Sequence, residues 1–131
     1  MYYKHNLTTI TTMLNLFLPY PPSVNGYWQF NGSRRFLTPN ANQFKAEVRQ
    51  AFVESGHKGF EAQRVSLTVY LHAPDKRVRD IDNIAKPLLD ALTQAGVFDD
   101  DRQVDRLLIL RKEQRKGGQC EIIVEPFEIG V

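Results

Sequence analysis

Residues 64–73, RVSLTVYLHA, alternate polar and apolar side chains without a break. A period of two belongs to a β-strand with one buried face. Val65, Leu67, Val69 and Leu71 share that face, and Ser66, Thr68, Tyr70 and His72 share the other. A strand needs hydrogen-bonded neighbours, so the rest of the chain must supply a sheet. LNLFL (14–18) also alternates and stops at Pro19, Pro21 and Pro22, which predicts a strand and a rigid turn. QVDRLLILRKEQ (103–114) and QCEIIVEPF (119–127) predict two further strands. RKGG between them predicts an antiparallel hairpin, and the first of the two can lie parallel to an earlier strand.

Two stretches change period. From Thr38-Pro39 to about Ser55, Phe44, Val48, Ala51 and Phe52 recur at spacings of three and four, ended by Gly56 and Gly59. Over roughly 80–95, Ile81, Ile84, Ala85, Leu88, Leu92 and Ala95 share one helical arc, with Asp80 at the N-cap and Gly96 at the end. Pro87 interrupts this second pattern. It demands either a kink or a first turn at 80–85 followed by a second helix starting at Pro87. NGYWQFNGSRRFLT (25–38), with two Asn-Gly turn signals, reads as a short hairpin or loop. The expected order is β-α-β-α-β-β: an α/β (α+β) domain with a small mixed sheet covered by two helices.

A chain of 131 residues with 42% hydrophobic content suits one domain and is too apolar for disorder. No apolar run reaches the roughly 18 residues of a membrane helix. One cysteine, Cys120, permits no internal disulfide and suits a reducing cytoplasm. Residues 1–12 are Thr-rich and lack the apolar stretch of a signal peptide. We read them as a flexible extension ahead of a single domain at 13–131, with Met13 as the original start.

Net charge is only +2, but its distribution is uneven. All eight aspartates lie between Asp75 and Asp105, and no glutamate lies there. A solvated acidic face ordinarily mixes the two; the shorter carboxylate, with fewer rotamers, suggests fixed geometry. On the second helix Asp82, Lys86 and Asp90 recur at intervals of four away from the apolar arc, and Asp99, Asp100 and Asp101 follow the Gly96 turn. Two readings compete. One is a capped amphipathic helix with ion pairs from Lys86 to Asp82 and Asp90. The other is an oxygen cage for a hard divalent cation, Asp80 and Asp82 supplying two ligands and the later triplet a third. Two carboxylates 4 Å apart repel by about 4 kcal/mol at an effective dielectric near 20, so such a cluster favours a cation.

RDIDNIAKPLLDALTQAGVFDDDRQV (79–104) resembles the signature of the RusA family of Holliday junction resolvases. The match runs through Asp80, Asp82, Asn83, Lys86, Asp90-Ala91-Leu92, Gly96, Asp100-Asp101 and Gln103-Val104. LPYPPSVNGYW (18–28) is similar to the family's opening strand and turn, and the late KGG fits as well; the resemblance covers about 14–127. It implies a homodimeric, Mg²⁺-dependent endonuclease, with Mn²⁺ as a substitute. Such an enzyme makes paired cuts in four-way DNA junctions during recombination and repair, in a bacterial or phage-encoded, nucleoid-associated setting. It also implies that Asp80, Asp82 and Asp101 are the catalytic metal ligands, with Asp100 as understudy for Asp101, and that Lys86 is the functional lysine. Asp99 has no counterpart in that pattern.

Backbone phosphates need a basic surface. Lys76, Arg77 and Arg79 precede Asp80, Arg34 and Arg35 sit on the early loop, and Arg111, Lys112, Arg115 and Lys116 lie near the last turn. Tyr27 and Trp28 suit either base stacking or the core. His5, His57 and His72 show no zinc spacing, and Cys120 reads as core. Paired cuts require two sites related by a two-fold axis. Phe44 and Phe52, or the last strand, are the candidate dimer surface. The alternatives are a branched-DNA binder without cleavage, a hydrolase of small phosphate esters, and a structural module with a solvated acidic face.

Overall fold

The computed structural model describes residues 11–127. The expectation for residues 1–12 falls almost wholly outside them; of that segment, the Thr12 carbonyl oxygen accepts from the His57 ring at 2.8 Å.

The strands are β1 (Leu14–Leu18), β2 (Trp28–Asn31), β3 (Arg34–Leu37), β4 (Val65–His72), β5 (Val104–Arg111) and β6 (Gln119–Pro126). The helices are α1 (Pro39–Ser55) and α2 (Ala85–Ala95). β2 and β3 form the early hairpin. The other strands make one mixed sheet in the order β1-β6-β4-β5, with only β4 and β5 parallel. α2 lies in the crossover that a parallel pair requires.

The strand β4 is borne out and its four apolar residues are at most 2% exposed, but the expected single buried face is not: Ser66, Thr68 and His72 on the other face are buried as well, with Ser66 and Thr68 accepting from Arg106. In register, Leu16 pairs Ile122 and Ile122 pairs Val69; Leu14–Val124–Leu67 and Leu18–Cys120–Leu71 make parallel rows. Phe44, Val48 and Phe52 of α1 and Leu88, Ala91 and Leu92 of α2 close the same core. α1 begins where expected: the Thr38 hydroxyl accepts from Ala41 N, Pro39 occupies the first position, and Gly56 ends the helix at φ 75°.

Two further expectations fail. β5 and β6 are not a hairpin, because β4 lies between them. Cys120, Ile122 and Val124 are wholly buried, which suits an interior strand, whereas β5 has no fully buried residue and lies at an edge. Gly117 and Gly118, both at positive φ, close a local turn at Arg115–Gly118. The connection crosses the end of β4, where Lys112 N donates to Leu71 O and Arg115 N to Ala73 O. The residues expected to offer a dimer surface are not available for one either: Phe44, Phe52 and the apolar face of β6 are consumed by the chain's own core. Among described residues no helix is long and apolar enough to cross a membrane.

Pro87 resolves the second helix. Ile81–Ile84 form a 3-10 turn, and the α-helix starts at Ala85. Pro87 is its third residue, not its first, within the turn whose N–H groups have no helical partner. The helix ends at Gly96, φ 92°.

Candidate active site

The 3-10 turn decides how the first carboxylates are presented. Asp80 precedes it in an extended conformation, and its side chain makes no capping hydrogen bond. Asp82 lies within the turn. Both are exposed, and neither carboxylate has a hydrogen bond or ion pair among the described residues.

One helical turn on, Lys86 reaches across rather than back. Its Nζ lies 3.1 Å from Asp90 and 3.0 Å from Asp101, not beside Asp82. These carboxylates, Asp101 first, raise its pKa, so Lys86 stays an ammonium. Asp90 in turn accepts from the Tyr27 hydroxyl at 3.1 Å. Tyr27 is only 2% exposed, which settles it as a core residue rather than a stacking surface. Trp28 packs edge-on against it, under the Arg35 guanidinium.

Burial first and Asp90 second hold the Tyr27 hydroxyl above its usual range. The folded chain thus keeps a proton that the unfolded chain loses from about pH 10. Stability from this group is complete below that pH and falls as pH rises beyond it. Tyr27→Phe should flatten that alkaline loss and cost about 1 kcal/mol at neutral pH; urea unfolding on both sides of pH 10 measures both.

The aspartate triplet divides by task. Asp100 caps the 3-10 turn Asp101–Gln103: its carboxylate accepts from Arg102 N at 2.8 Å, and Gln103 Oε1 accepts from Asp100 N at 2.9 Å. The contacts to Arg102 lower the pKa of Asp100. Asp101, next in line, turns to Lys86. Asp99 is exposed, and its backbone N donates to Glu61 O.

Among the described residues, no group of three or more His, Cys, Asp or Glu is close enough together to hold a metal ion. The donor chemistry nonetheless suits a hard cation: Asp80 and Asp82 are uncommitted, and Asp101 is paired with an ammonium that is 64% exposed.

Of the basic residues, Lys76, Arg77, Arg79, Arg111 and Lys112 converge on one cleft of about 270 Å³ at the C-terminal ends of β4 and β5. Arg79 is partly structural there: it binds Asp75 at 2.7 Å, and its carbonyl accepts from Arg111 at 2.6 Å. Arg79, then Arg77, hold the Asp75 pKa down at about 2. Arg34, Arg35, Arg115 and Lys116 do not line the cleft; Arg115 is spent on Glu113 and Gln119. Cys120 is buried, its thiol pushed up to about 12 by desolvation.

The family model for endodeoxyribonuclease RusA matches residues 19–125. The chain belongs to the RusA family. That span contains β2–β5, both helices and every residue of the site. The crossover junction endodeoxyribonuclease rusA of Enterobacteria phage HK97 is 36% identical over 111 residues, 85% of this chain and 92% of the relative. Its namesake in Enterobacteria phage 82 is 34% identical over 107 residues, 82% and 89% of the two chains. RusA of Escherichia coli K12 is 33% identical over the same coverage. Within this RusA-type chain, sequence reasoning missed Tyr27 as the partner of Asp90. It had Asp90 only as an ion-pair partner of Lys86, a reading the 3.1 Å contact bears out.

Proposed function

We propose that the chain is a Mg²⁺-dependent crossover junction endonuclease that acts as a homodimer, each protomer making one of two symmetric cuts. The relatives' activity on crossover junctions supports the substrate. The observation that carries the metal reading is the pair of uncommitted carboxylates, Asp80 and Asp82, one turn from the lysine that engages Asp101. These three would hold the ion, drawn closer together than they stand in this structure. Bound Mg²⁺, or Mn²⁺ in its place, would supply an acidified water and a polarised phosphoryl oxygen.

The chain's own residues do the rest. Lys86 retains its proton, so it is a charge stabiliser and not a general base. Its exposed side chain would let the ammonium donate to a phosphate oxygen where charge develops. Asp90, anchored by Tyr27, keeps the lysine stem directed at the site. Asp100 holds the turn that aims Asp101. The basic cleft grips the backbone, and a two-fold pair of such protomers matches the symmetry of a four-way junction.

The test is incubation with an immobile four-way junction, with Mg²⁺, with EDTA, and with linear duplex as control. Paired nicks that need the metal and the branch are expected. Tight binding without cleavage in any metal would leave a branched-DNA binder. In the same assay, Lys76→Ala with Arg77→Ala should weaken junction binding. The plot of log affinity against log salt should flatten by about two, roughly 0.9 for each phosphate no longer neutralised.

A further inference from the structure

A groove of about 630 Å³ runs beside Asp80. Two features distinguish it from a plain backbone channel. Its apolar wall is rigid: Pro19, Tyr20, Pro21 and Pro22 have little freedom to move. Its polar lining is rich in carboxamides, namely Asn25, Asn40, Gln43 and Asn83. Arg77 and Arg79 line its end toward the basic cleft, which they share. A phosphate uses only the donor side of an amide; a base edge can use both its donor and its acceptor. An amide offers a donor and an acceptor side by side, the pattern that pairs with a base edge.

The backbone that carries the amides is held in place. Asn25 sits in the 3-10 turn Val24–Gly26, whose Gly26 N donates to the Ser23 hydroxyl at 3.2 Å. Asn40 and Gln43 lie near the start of α1. Thr38 joins the two walls: its hydroxyl donates to Gly26 O at 2.7 Å and accepts from Ala41 N at 3.2 Å. Gln43 Nε2 donates to Glu47 at 2.9 Å, which leaves its carbonyl and one N–H for a ligand. Asn83 follows Asp82 in the turn that presents the carboxylates. Readers of hydrogen-bond pattern need such fixed mounts.

We propose that this groove binds the nucleobase next to the scissile phosphate and reads its edge through Asn40 and Gln43, making it the site that sets cleavage sequence preference. The inference rests on the endonuclease reading above. The base lies against the proline and tyrosine wall, its phosphate faces Arg77, and the bond to be cut lies at Asp80. Branch points leave bases free to unstack, so the groove would also favour junctions over intact duplex.

The test is a set of immobile junctions carrying every dinucleotide at the crossover, cleaved by wild type, by Asn40→Ala with Gln43→Ala, and by Asn40→Asp. Both positions are exposed, so folding should survive, and thermal melting checks this. Wild type should cut a few sequences strongly. The double variant should lower the ratio between best and worst sequences about tenfold, the scale of one bidentate base contact. Asn40→Asp, which keeps size but exchanges donors for acceptors, should move the preference to other sequences. Unchanged preferences in both variants, or a wild type that cuts all sequences alike, would overturn the inference and leave the endonuclease reading standing. A wild type that cuts no junction would overturn both.

Discussion

Asp82→Asn should lower junction cleavage by about a thousandfold or more, the scale of removing one charge-stabilising group from a reacting centre, with junction binding retained. The substitution keeps the shape of the side chain but removes a negative charge and half of its metal-binding oxygens. Asp82 supports nothing else: it caps no helix and pairs with no cation among the described residues. Its loss should therefore leave thermal stability unchanged or slightly higher. This separates it from Asp100→Ala, which removes a cap and costs about 1 kcal/mol of local stability. Asp101→Asn should match Asp82→Asn in activity and also free Lys86 from half of its ion pair. Single-turnover cleavage with gel-shift binding and a melt of each variant reads all three quantities. Full activity in Asp82→Asn would remove the turn at 81–84 from the chemistry.

Gly59→Ala, a substitution in no functional motif, should be the most damaging to the fold. Gly59 has φ 89°, and a Cβ there would lie 2.7 Å from the Gly96 carbonyl oxygen and 3.3 Å from that of Val97. The left-handed conformation costs about 1–2 kcal/mol for a residue with Cβ. Overpacking against backbone that cannot swing away adds about 1–3 kcal/mol. A melting point lower by roughly 10 °C or more should result. Gly117→Ala is the control: φ is 82° there, but the space is open, so only the conformational cost applies. The damage at Gly59 should reach the site as well. The neighbouring backbone is stitched to the segment bearing Asp101: Phe60 N donates to Val97 O, Asp99 N to Glu61 O, and Gln103 Nε2 to the carbonyls of Glu61 and Gln63. At a temperature where Gly59→Ala is still folded, its cleavage rate should fall while that of Gly117→Ala does not.

What could be read from sequence follows the range of the forces involved. The limits of α1 are local chemistry, Thr38-Pro39 at one end and Gly56 at the other, and they are legible. The alternation of β4 gives its apolar face, but not the burial of Ser66, Thr68 and His72 on the other, which depends on distant partners such as Arg106. The partner of β6 is not legible. Gly117-Gly118 signals a turn but not which strand lies beyond it; that depends on β1, whose pairing with β6 spans the whole domain. The same division holds at the site. Asp80, Asp82 and Lys86 come from one continuous stretch, so periodicity groups them. The Tyr27–Asp90 bond joins residues 63 positions apart and leaves no local mark. Asp100 and Asp101 could have been separated further: the D-x-x-Q spacing of Asp100 and Gln103 is that of a capping box. It commits the first carboxylate to the turn and leaves the second to Lys86.

The place of β6 inside the sheet carries a consequence for the birth of the molecule. β1 touches no other strand of its sheet, and its partner lies far along the chain; Asn15 and Glu121, which bond across the pair, are 106 positions apart. While the chain emerges from the ribosome, β1 and β4 must wait with open edges until 119–126 arrive. Closure of so long a loop is slow, and the waiting strands are exposed to mispairing. A nascent chain already carries Asp80, Asp82 and Asp101 before β6 is made, yet has no finished sheet to hold them in register. Competence to cut DNA is thereby deferred until residues 119–126 have been made.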